Sequence, residues 1–450
     1  MADLMKKKLK ILIANRGEIA VRIIRAAKIL GMQTVAVYSE ADKNSLHVAM
    51  ADEAVEIGAA SAGDSYLNIR AILAAAEISH ADAIHPGYGF LSENAHFARL
   101  VEEVGLIFIG PTSQTIEEMG DKEQARQLMA SAGVPIVPGS ADFFESAEIG
   151  LREAERIGYP VMLKSVAGGG GKGMRLVSQA ADFQQLFELA QSEIKNAVGD
   201  GRMYLEKLII HPRHIEVQVL GDGQGKAIAL GERDCTIQRH HQKVIEEAPS
   251  TKIDPETRQE MLTVAVHAAE QQQYRSAGTY EFLYQGPGQF YFMEMNTRIQ
   301  VEHAISEEIT GVDLVGAQLT QAAGGGLPEV ARDNQGRVAI EARVVAQTAG
   351  KINFLHLPGG LGIRVETAIY PGYVVPPNYD AMILKIIATG PNRVTALQRL
   401  REAIGETVIT GLKTNLDLLI QILNHPDFTT NENATDIDWL DSILDAEEEK

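Results

Sequence analysis

Two alternating segments joined by Gln285-Gly286-Pro287-Gly288 constrain this chain more than any other stretch. Thr279-Tyr280-Glu281-Phe282-Leu283 reads as a strand, the Gly-Pro-Gly turn reverses it, and Gln289-Phe290-Tyr291-Phe292-Met293-Glu294 reads as the returning strand. A hairpin centred between Pro287 and Gly288 sets Glu281 opposite Glu294, where side chains stand about 4.5–5.5 Å apart and like charges repel. Period-two alternation puts Asn296 on the Glu294 face. Two facing carboxylates and an amide oxygen are hard oxygen donors of the kind that hold Mg²⁺ beside nucleotide phosphates. The alternative is an exposed hairpin whose acids are solvated. Arg298 and Glu302, immediately downstream, favour the cation site.

The first part of the chain alternates strand and helix. Leu9–Ala14 is a buried-strand run, Glu18–Leu30 a helical pattern and Thr34–Tyr38 a second strand; Ala83–His85 and Leu106–Ile109 continue the series. This predicts a parallel sheet with helices on both faces. Asn15-Arg16-Gly17-Glu18 occupies the strand-to-helix turn without the glycine spacing of a dinucleotide site. Asp42 reads as a turn residue rather than a ribose-binding acid, and His85-Pro86-Gly87-Tyr88-Gly89-Phe90 as a stiff turn after a strand.

A helix is expected from Asp121 to about Ala132, followed by a Pro/Val linker and a strand at Tyr159–Lys164. That strand runs into four glycines, Gly168 to Gly171, bracketed by Lys164 and Lys172. Such a backbone can approach a polyphosphate closely and cradle it with amides, although the spacing is not that of a P-loop. Arg175-Leu176-Val177 then completes a lid-like hairpin. Further strands are expected at Met203–Lys207, Ile215–Leu220, Val338–Val345 and Ala381–Ala388, helices at Val394–Ile404 and Asn415–Leu423, and a charged, fraying tail at Asp445–Lys450.

Several polar groups stand out. His214, Glu216 and Gln218 share one strand face, which either faces solvent or lines a site. Glu206 and Lys207 are placed to act as a hinge reading a purine edge, or are an ordinary charge pair. Gln238-Arg239-His240-His241-Gln242-Lys243 is a basic cluster in an acidic chain; adjacent strand histidines point to opposite faces, so an anion suits it better than zinc. Arg343 lies on an apolar strand and needs an anionic or carbonyl partner.

With 450 residues the chain has room for two to four domains. A net charge of −19 argues against nucleic-acid binding, since no basic excess exists to neutralise phosphates. The single cysteine, Cys235, excludes an intramolecular disulfide and suits a reducing compartment. The lysine-rich start leads into a strand rather than a signal-peptide apolar core, and no run of about 18 apolar residues occurs. A cytoplasmic protein that neither enters a membrane nor binds nucleic acid is expected.

Taken together, these segments resemble the biotin carboxylase family of the ATP-grasp superfamily over essentially the whole chain, from Ala14–Ala20 to Gly411–Asn415. The specific signatures are His85–Glu93 (HPGYGFLSE), Glu232–Cys235 (ERDC), Gln242–Pro249 (QKVIEEAP) and Glu294–His303 (EMNTRIQVEH). The resemblance implies an ATP-grasp fold of α/β and α+β class. A Rossmann-like N-terminal domain would span 1–120, an ATP-grasp domain 121–328 with a mobile lid at about 137–209, a C-terminal α+β domain 335–445, and a charged tail 446–450.

The same resemblance implies the site. Lys122 and Lys164 would hold ATP phosphates, Gly170 and Gly171 would close over them, and Glu206, Lys207, Leu208 and Ile209 would read adenine. His214, Gln238 and His241 would border the nucleotide, and Glu281, Glu294 and Asn296 would hold Mg²⁺ or Mn²⁺. Lys243, Arg298, Gln300, Val301 and Glu302 would surround bicarbonate, with Glu302 as base, and Arg343 would stabilise the biotin enolate. No Ala/Val-Met-Lys-Met attachment motif occurs, so biotin is expected on a separate carrier protein. Carboxyltransferase subunits, most often of acetyl-CoA carboxylase, and a homodimer are the other partners implied.

The chain departs from the family pattern in places. Val166-Ala167-Gly168 replaces Ser-Gly-Gly, His240 an arginine and Ala304 a proline. The stretch after Arg343, Val344 to Gly350, is shortened, which could displace Arg343. At the usual dimer surface Arg25 and Arg364 match, whereas Ile29 and Leu361 replace glutamate and phenylalanine. The alternatives are a biotin carboxylase subunit of another acyl-CoA or pyruvate carboxylase, an ATP-grasp ligase with another acceptor, and an ATP-binding paralogue of little turnover.

Overall fold

The computed structural model describes residues 8–140, 142–165, 174–198, 201–330, 336–430 and 435–448. They form two units, one of Met1–Val134, Arg213–Phe290 and Glu294–Lys450, the other of Pro135–Pro212 and Tyr291–Met293.

The larger unit opens with five parallel strands, β1 (Lys10–Ile13), β2 (Gln33–Tyr38), β3 (Glu53–Glu56), β4 (Ala83–His85) and β5 (Ile107–Phe108), in the order β3-β2-β1-β4-β5. Ile11, Leu12 and Ile13 are all buried because helices cover both faces. The Gly17–Ile29 helix starts with Gly17 at φ +68, a conformation glycine adopts without penalty. Asn68 and Asn94 cap the helices that precede β4 and β5. Strand order reverses between β1 and β4, where doubly wound sheets open a crevice. There Asn15 Nδ2 donates to the carbonyls of Pro86 and Tyr88, both at 2.7 Å, pinning one turn to the other.

Asp42, expected in a turn, is a fully buried anchor: its carboxylate takes Arg16 at 2.6 and 2.8 Å and the Tyr66 hydroxyl at 2.7 Å. Despite burial, these donors hold its carboxyl below the usual range.

The smaller unit is an antiparallel sheet of β6 (Val161–Ser165), β7 (Arg175–Val177) and β8 (Met203–Lys207) with β6 in the middle. The Ala147–Ile157 and Ala180–Val198 helices pack on it around Phe144, Phe183 and Phe187. The expected glycine loop, with Gly170 and Gly171, lies outside the described residues.

The site-bearing sheet has eight strands. β9 (Arg213–Asp222), β10 (Ala227–Arg239), β11 (Gln242–Ala248), β12 (Arg275–Gly286), β13 (Gln289–Asn296) and β14 (Val338–Val345) are followed along the chain by short β15 (Gly350–Lys351) and β16 (Phe354–His356). Then come β17 (Ile363–Thr367), β18 (Val374–Val375), β19 (Met382–Gly390) and β20 (Val408–Thr410). The large sheet runs β13-β12-β9-β10-β11-β14-β19-β17, and β15/β18 and β16/β20 form two-stranded sheets.

Alternation on β14 decides what the sheet does. Ile340, Ala342 and Val344 join Leu384 and Ile386 in an apolar core beneath the Arg393–Glu406 helix. Glu341 and Arg343 point to the opposite face, which the His303–Thr310 helix covers. A charged sheet face is thereby closed to water.

Two expectations for this unit are corrected. His240 and His241 are not strand neighbours but the two turn residues between β10 and β11, at φ +49 and +62, a conformation suited to a tight hairpin. The charged end does not fray from Asp445: a helix runs from Trp439 to Glu448. Its first turn is anchored by buried Trp439 and Leu440, and the alanine and glutamates that follow are good helix formers. No described helix is long and apolar enough to cross a membrane.

Candidate active site

Register builds the floor of the site. Glu216 on β9 pairs with Arg233 on β10 and with Glu281 on β12, so the polar face of β9 meets polar faces on both sides. His214, Glu216 and Gln218 are all buried rather than facing solvent. Arg233, fully enclosed, donates to Glu216, to Gln218 Oε1 at 2.7 Å, to Ser306 at 2.9 Å and to Thr279 at 3.1 Å. A guanidinium can be buried because each of its forks has an acceptor.

Lys243 enters from β11 and gathers three carboxylates. Its ammonium stands 2.6 Å from Glu216 Oε2, 2.6 Å from Glu302 Oε1 and 3.2 Å from Glu281 Oε1. Burial opposes its charge, but Glu216 and Glu302 outweigh that and push its pKa well up. Glu302, just before the His303–Thr310 helix, is enclosed; burial would raise its pKa, yet Lys243, Arg343 and Arg233 hold it well below the carboxylate range.

Arg343 bridges two acids, with Nε 2.5 Å from Glu246 Oε1 and Nη2 2.9 Å from Glu302 Oε2. The shortened stretch that follows leaves it on β14: Asn415 donates to the Arg343 carbonyl at 3.0 Å and accepts the Val345 amide at 2.8 Å. Opposite Arg343 on β19, Lys385 donates to the Val301 carbonyl and lies 3.1 Å from Glu18. The same Glu18 oxygen accepts the Tyr88 hydroxyl. The stiff turn after β4 is therefore tied to the charged floor.

On the hairpin, the two-residue turn at Pro287–Gly288 joins β12 to β13, and counting outward sets Glu281 across from Glu294. Glu281 Oε1 accepts Asn296 Nδ2 at 2.7 Å and Gln300 Nε2 at 2.8 Å, and its Oε2 lies 2.8 Å from His214 Nε2. Burial is outweighed by Lys243 and His214, so its carboxyl is held far down. Glu294, open on one side, is instead pushed up by partial desolvation and by the Glu281 charge, while Lys122 pulls it down. A divalent cation at this edge would relieve that repulsion, and the oxygen donors fit Mg²⁺ or Mn²⁺.

Arg298 donates to Glu93 Oε2 at 2.8 Å, to Asn296 Oδ1 at 2.7 Å and to Gln300 Oε1 at 3.2 Å. Gln238 reaches His214 Nδ1 at 2.7 Å and is buried, whereas His241 sits exposed in its hairpin turn. Lys122 begins a helix capped by Asp121.

In the smaller unit, Lys164 pairs with Glu206 across β6 and β8. Lys207 donates to the carbonyls of Gly158 and Tyr159, and Leu208 follows β8 with its amide on Pro160, next to half-buried Ile209.

Sequence reasoning singled out neither Arg233 nor Glu246, Glu341, Lys385, Glu18, Tyr88 and Glu93 as members of the site. Only the alternation of charge within apolar β14 and β19 hinted at Glu341 and Lys385.

Residues 7–116 match the family described as Biotin carboxylase, N-terminal domain, residues 121–330 that described as Carbamoyl-phosphate synthase L chain, ATP binding domain, and residues 335–442 the Biotin carboxylase C-terminal domain. The chain is 49% identical to the biotin carboxylase of Haemophilus influenzae over 97% of this chain and 98% of the relative. Its structure resembles the biotin carboxylase domain of a thermophilic 2-oxoglutarate carboxylase bound to ADP (TM-score 0.91, 46% identity, 97% and 98% of the two chains). It also resembles the biotin carboxylase domain dimer of Hydrogenobacter thermophilus 2-oxoglutarate carboxylase, in complex with MgADP, ADP and bicarbonate (TM-score 0.81, 45% identity, 97% and 98%).

Proposed function

The chain belongs to the biotin carboxylase family and is an ATP-dependent carboxylating ligase, and we propose that it serves acetyl-CoA carboxylase, carboxylating biotin presented by a carrier protein. The observation that carries the residue assignment is the junction at Glu302, where Lys243 and Arg343 meet one enclosed carboxylate.

Bicarbonate would bind among Lys243, Arg298, Gln300 and the Val301 backbone. An anion there shares the Lys243 charge, which raises the proton affinity of Glu302 from its depressed resting value and readies it as the base. The deprotonated oxygen attacks the γ-phosphorus of ATP, ADP leaves, and carboxyphosphate forms. Glu281, Glu294 and Asn296 would hold Mg²⁺ or Mn²⁺, which would neutralise phosphate charge.

Lys122, Lys164, Gly170 and Gly171 are assigned to the phosphates and the Glu206–Ile209 segment to adenine. His214, Gln238 and His241 border the nucleotide. Carboxyphosphate splits into CO₂ and phosphate; phosphate takes the N1′ proton of biotin, and the enolate carbon–nitrogen system attacks CO₂ at N1′. Arg343 would stabilise the enolate oxygen. Domains at 1–120, 121–328 and 335–445 are the division this reading adopts.

The likeness to 2-oxoglutarate carboxylase domains favours one second reading, with a 2-oxo acid as final acceptor. A homodimer through the face bearing Arg25 and Arg364 belongs to either; Ile29 and Leu361 there are 78% and 84% exposed. The test supplies labelled bicarbonate, ATP and biotinylated carrier with the carboxyltransferase of acetyl-CoA carboxylase or of a 2-oxo-acid carboxylase. Label in malonyl-CoA supports the first reading; label only in the carboxylated oxo acid overturns it.

A further inference from the structure

Glu246 on β11 and Glu341 on β14 are directly opposite each other in the sheet, and both are 0% exposed. Opposed side chains stand about 4.5–5.5 Å apart at Cβ, a spacing at which two carboxylates repel unless cations or protons intervene. Arg343 serves one side by hydrogen bond, and Lys385 acts on Glu341 by charge alone. Arg343 donates to Glu246 Oε1, while Glu246 Oε2 and both oxygens of Glu341 meet no hydrogen-bond donor among the described residues. A buried carboxylate without donors is costly, and a proton resolves it.

The surroundings point the same way. Arg343 lies two residues beyond Glu341 on the same face of β14; Lys385 faces that row from β19, Lys243 from β11 and Cys235 from β10. Glu302 faces it from just before the covering helix, and the next residue, His303, lies near Lys385, where burial and that lysine push it down and keep it neutral. Lys385 is itself shared between Glu18, Glu341 and, on β17, Glu366. Burial, then the Glu302 charge against the pull of Arg343, brings Glu246 up to about 7. Burial and Glu246, against Lys385, bring Glu341 up to about 8. Glu246 thus raises Glu341, which keeps the proton the longer of the two, and the opposed placement sets that proton against the donor-free Oε2 of Glu246.

We propose that Glu246 and Glu341 hold one proton between them and act as a positioning pair for Arg343, fixing how far its guanidinium extends toward Glu302 and an anion forming on the substrate. With Glu341 donating its proton to Glu246 Oε2, Oε1 is left to orient Arg343 Nε. Loss of the proton puts a second full negative charge beside the guanidinium and draws it back from Glu302. The part played by Arg343 in biotin chemistry rests on the reading above; the shared proton does not.

Infrared difference spectra of wild type minus Glu341→Gln read the proton directly. A protonated-acid carbonyl band, deuterium-sensitive, is expected at neutral pH and is expected to vanish on the alkaline side. Its absence at neutral pH overturns the pair, whether or not the chain carboxylates biotin. In parallel, the biotin-dependent rate of the wild type is expected to fall about tenfold per pH unit above the ionisation of the pair. Glu341→Gln, whose amide keeps a donor toward Glu246, should shift that fall to higher pH, and Glu341→Asp should retain it. A band accompanied by an alkaline limb that Glu341→Gln does not move overturns the positioning role.

Discussion

The ammonium of Lys243 stands 2.6 Å from Glu302 Oε1, and among the described residues it is the one cation paired with Glu302, Glu216 and Glu281 alike. The contact is long-range in sequence, made by the start of an interior strand and the entrance of a helix. It explains how an enclosed carboxylate stays ionised and how a bound anion could alter its basicity.

Lys243→Met should therefore be felt in stability as well as rate. Removing one partner of a buried charge cluster costs about 3–5 kcal/mol. The depressed pKa of Glu302 contributes stability that is present above its unfolded value and is lost as pH falls through the folded one. With the lysine gone the folded value rises, so urea unfolding should show the variant losing stability at a higher pH than wild type on the acid side.

Glu294→Gln should weaken divalent cation binding while leaving the fold intact, because this carboxylate is open on one side and is raised by Glu281. Titration with Mn²⁺ in the presence of ADP is expected to give a dissociation constant larger by about tenfold or more, one charged ligand being lost. An unchanged constant would remove Glu294 from the metal set.

Arg343→Met separates the two halves of the reaction. The substitution removes the donor nearest the proposed enolate, a kind of loss worth about 10²–10³-fold. Biotin-dependent ADP release should fall by that much, and bicarbonate-dependent ATP hydrolysis without biotin by less. Equal losses in both would place Arg343 with bicarbonate instead.

Glu341 gives the opposite pH signature to Glu302. Burial and Glu246 raise it from 4.5 to about 8 in the folded protein, so its contribution is fully present below the unfolded value and lost as pH rises through about 8. The Tm of wild type should decline over that window, and that of Glu341→Gln should decline less.

Much of this was legible in the sequence because it is local. β4, β7, β8 and β14 fall where apolar runs and alternation put them, and the turn at Pro287–Gly288 sets the hairpin register. What was not legible depends on partners far along the chain. The polar face of β9 reads equally as solvated or buried until Arg233 is seen to join Glu216 and Gln218 to Ser306 of the His303–Thr310 helix. Asp42 looks like a turn acid until Arg16 and Tyr66 close on it. His240 and His241 needed the knowledge that β10 ends at Arg239, since positive φ at both positions is not written in their side chains. Glu246 and Glu341, 95 positions apart in the chain, become neighbours only through strand pairing.

The most direct test is ADP release from MgATP and bicarbonate, with and without free biotin, for the wild type beside Glu302→Gln. The account predicts release that requires bicarbonate, is stimulated by biotin, and falls by about 10²–10⁴-fold in the variant while ATP still binds. Release indifferent to bicarbonate and biotin, or undiminished in Glu302→Gln, would contradict it.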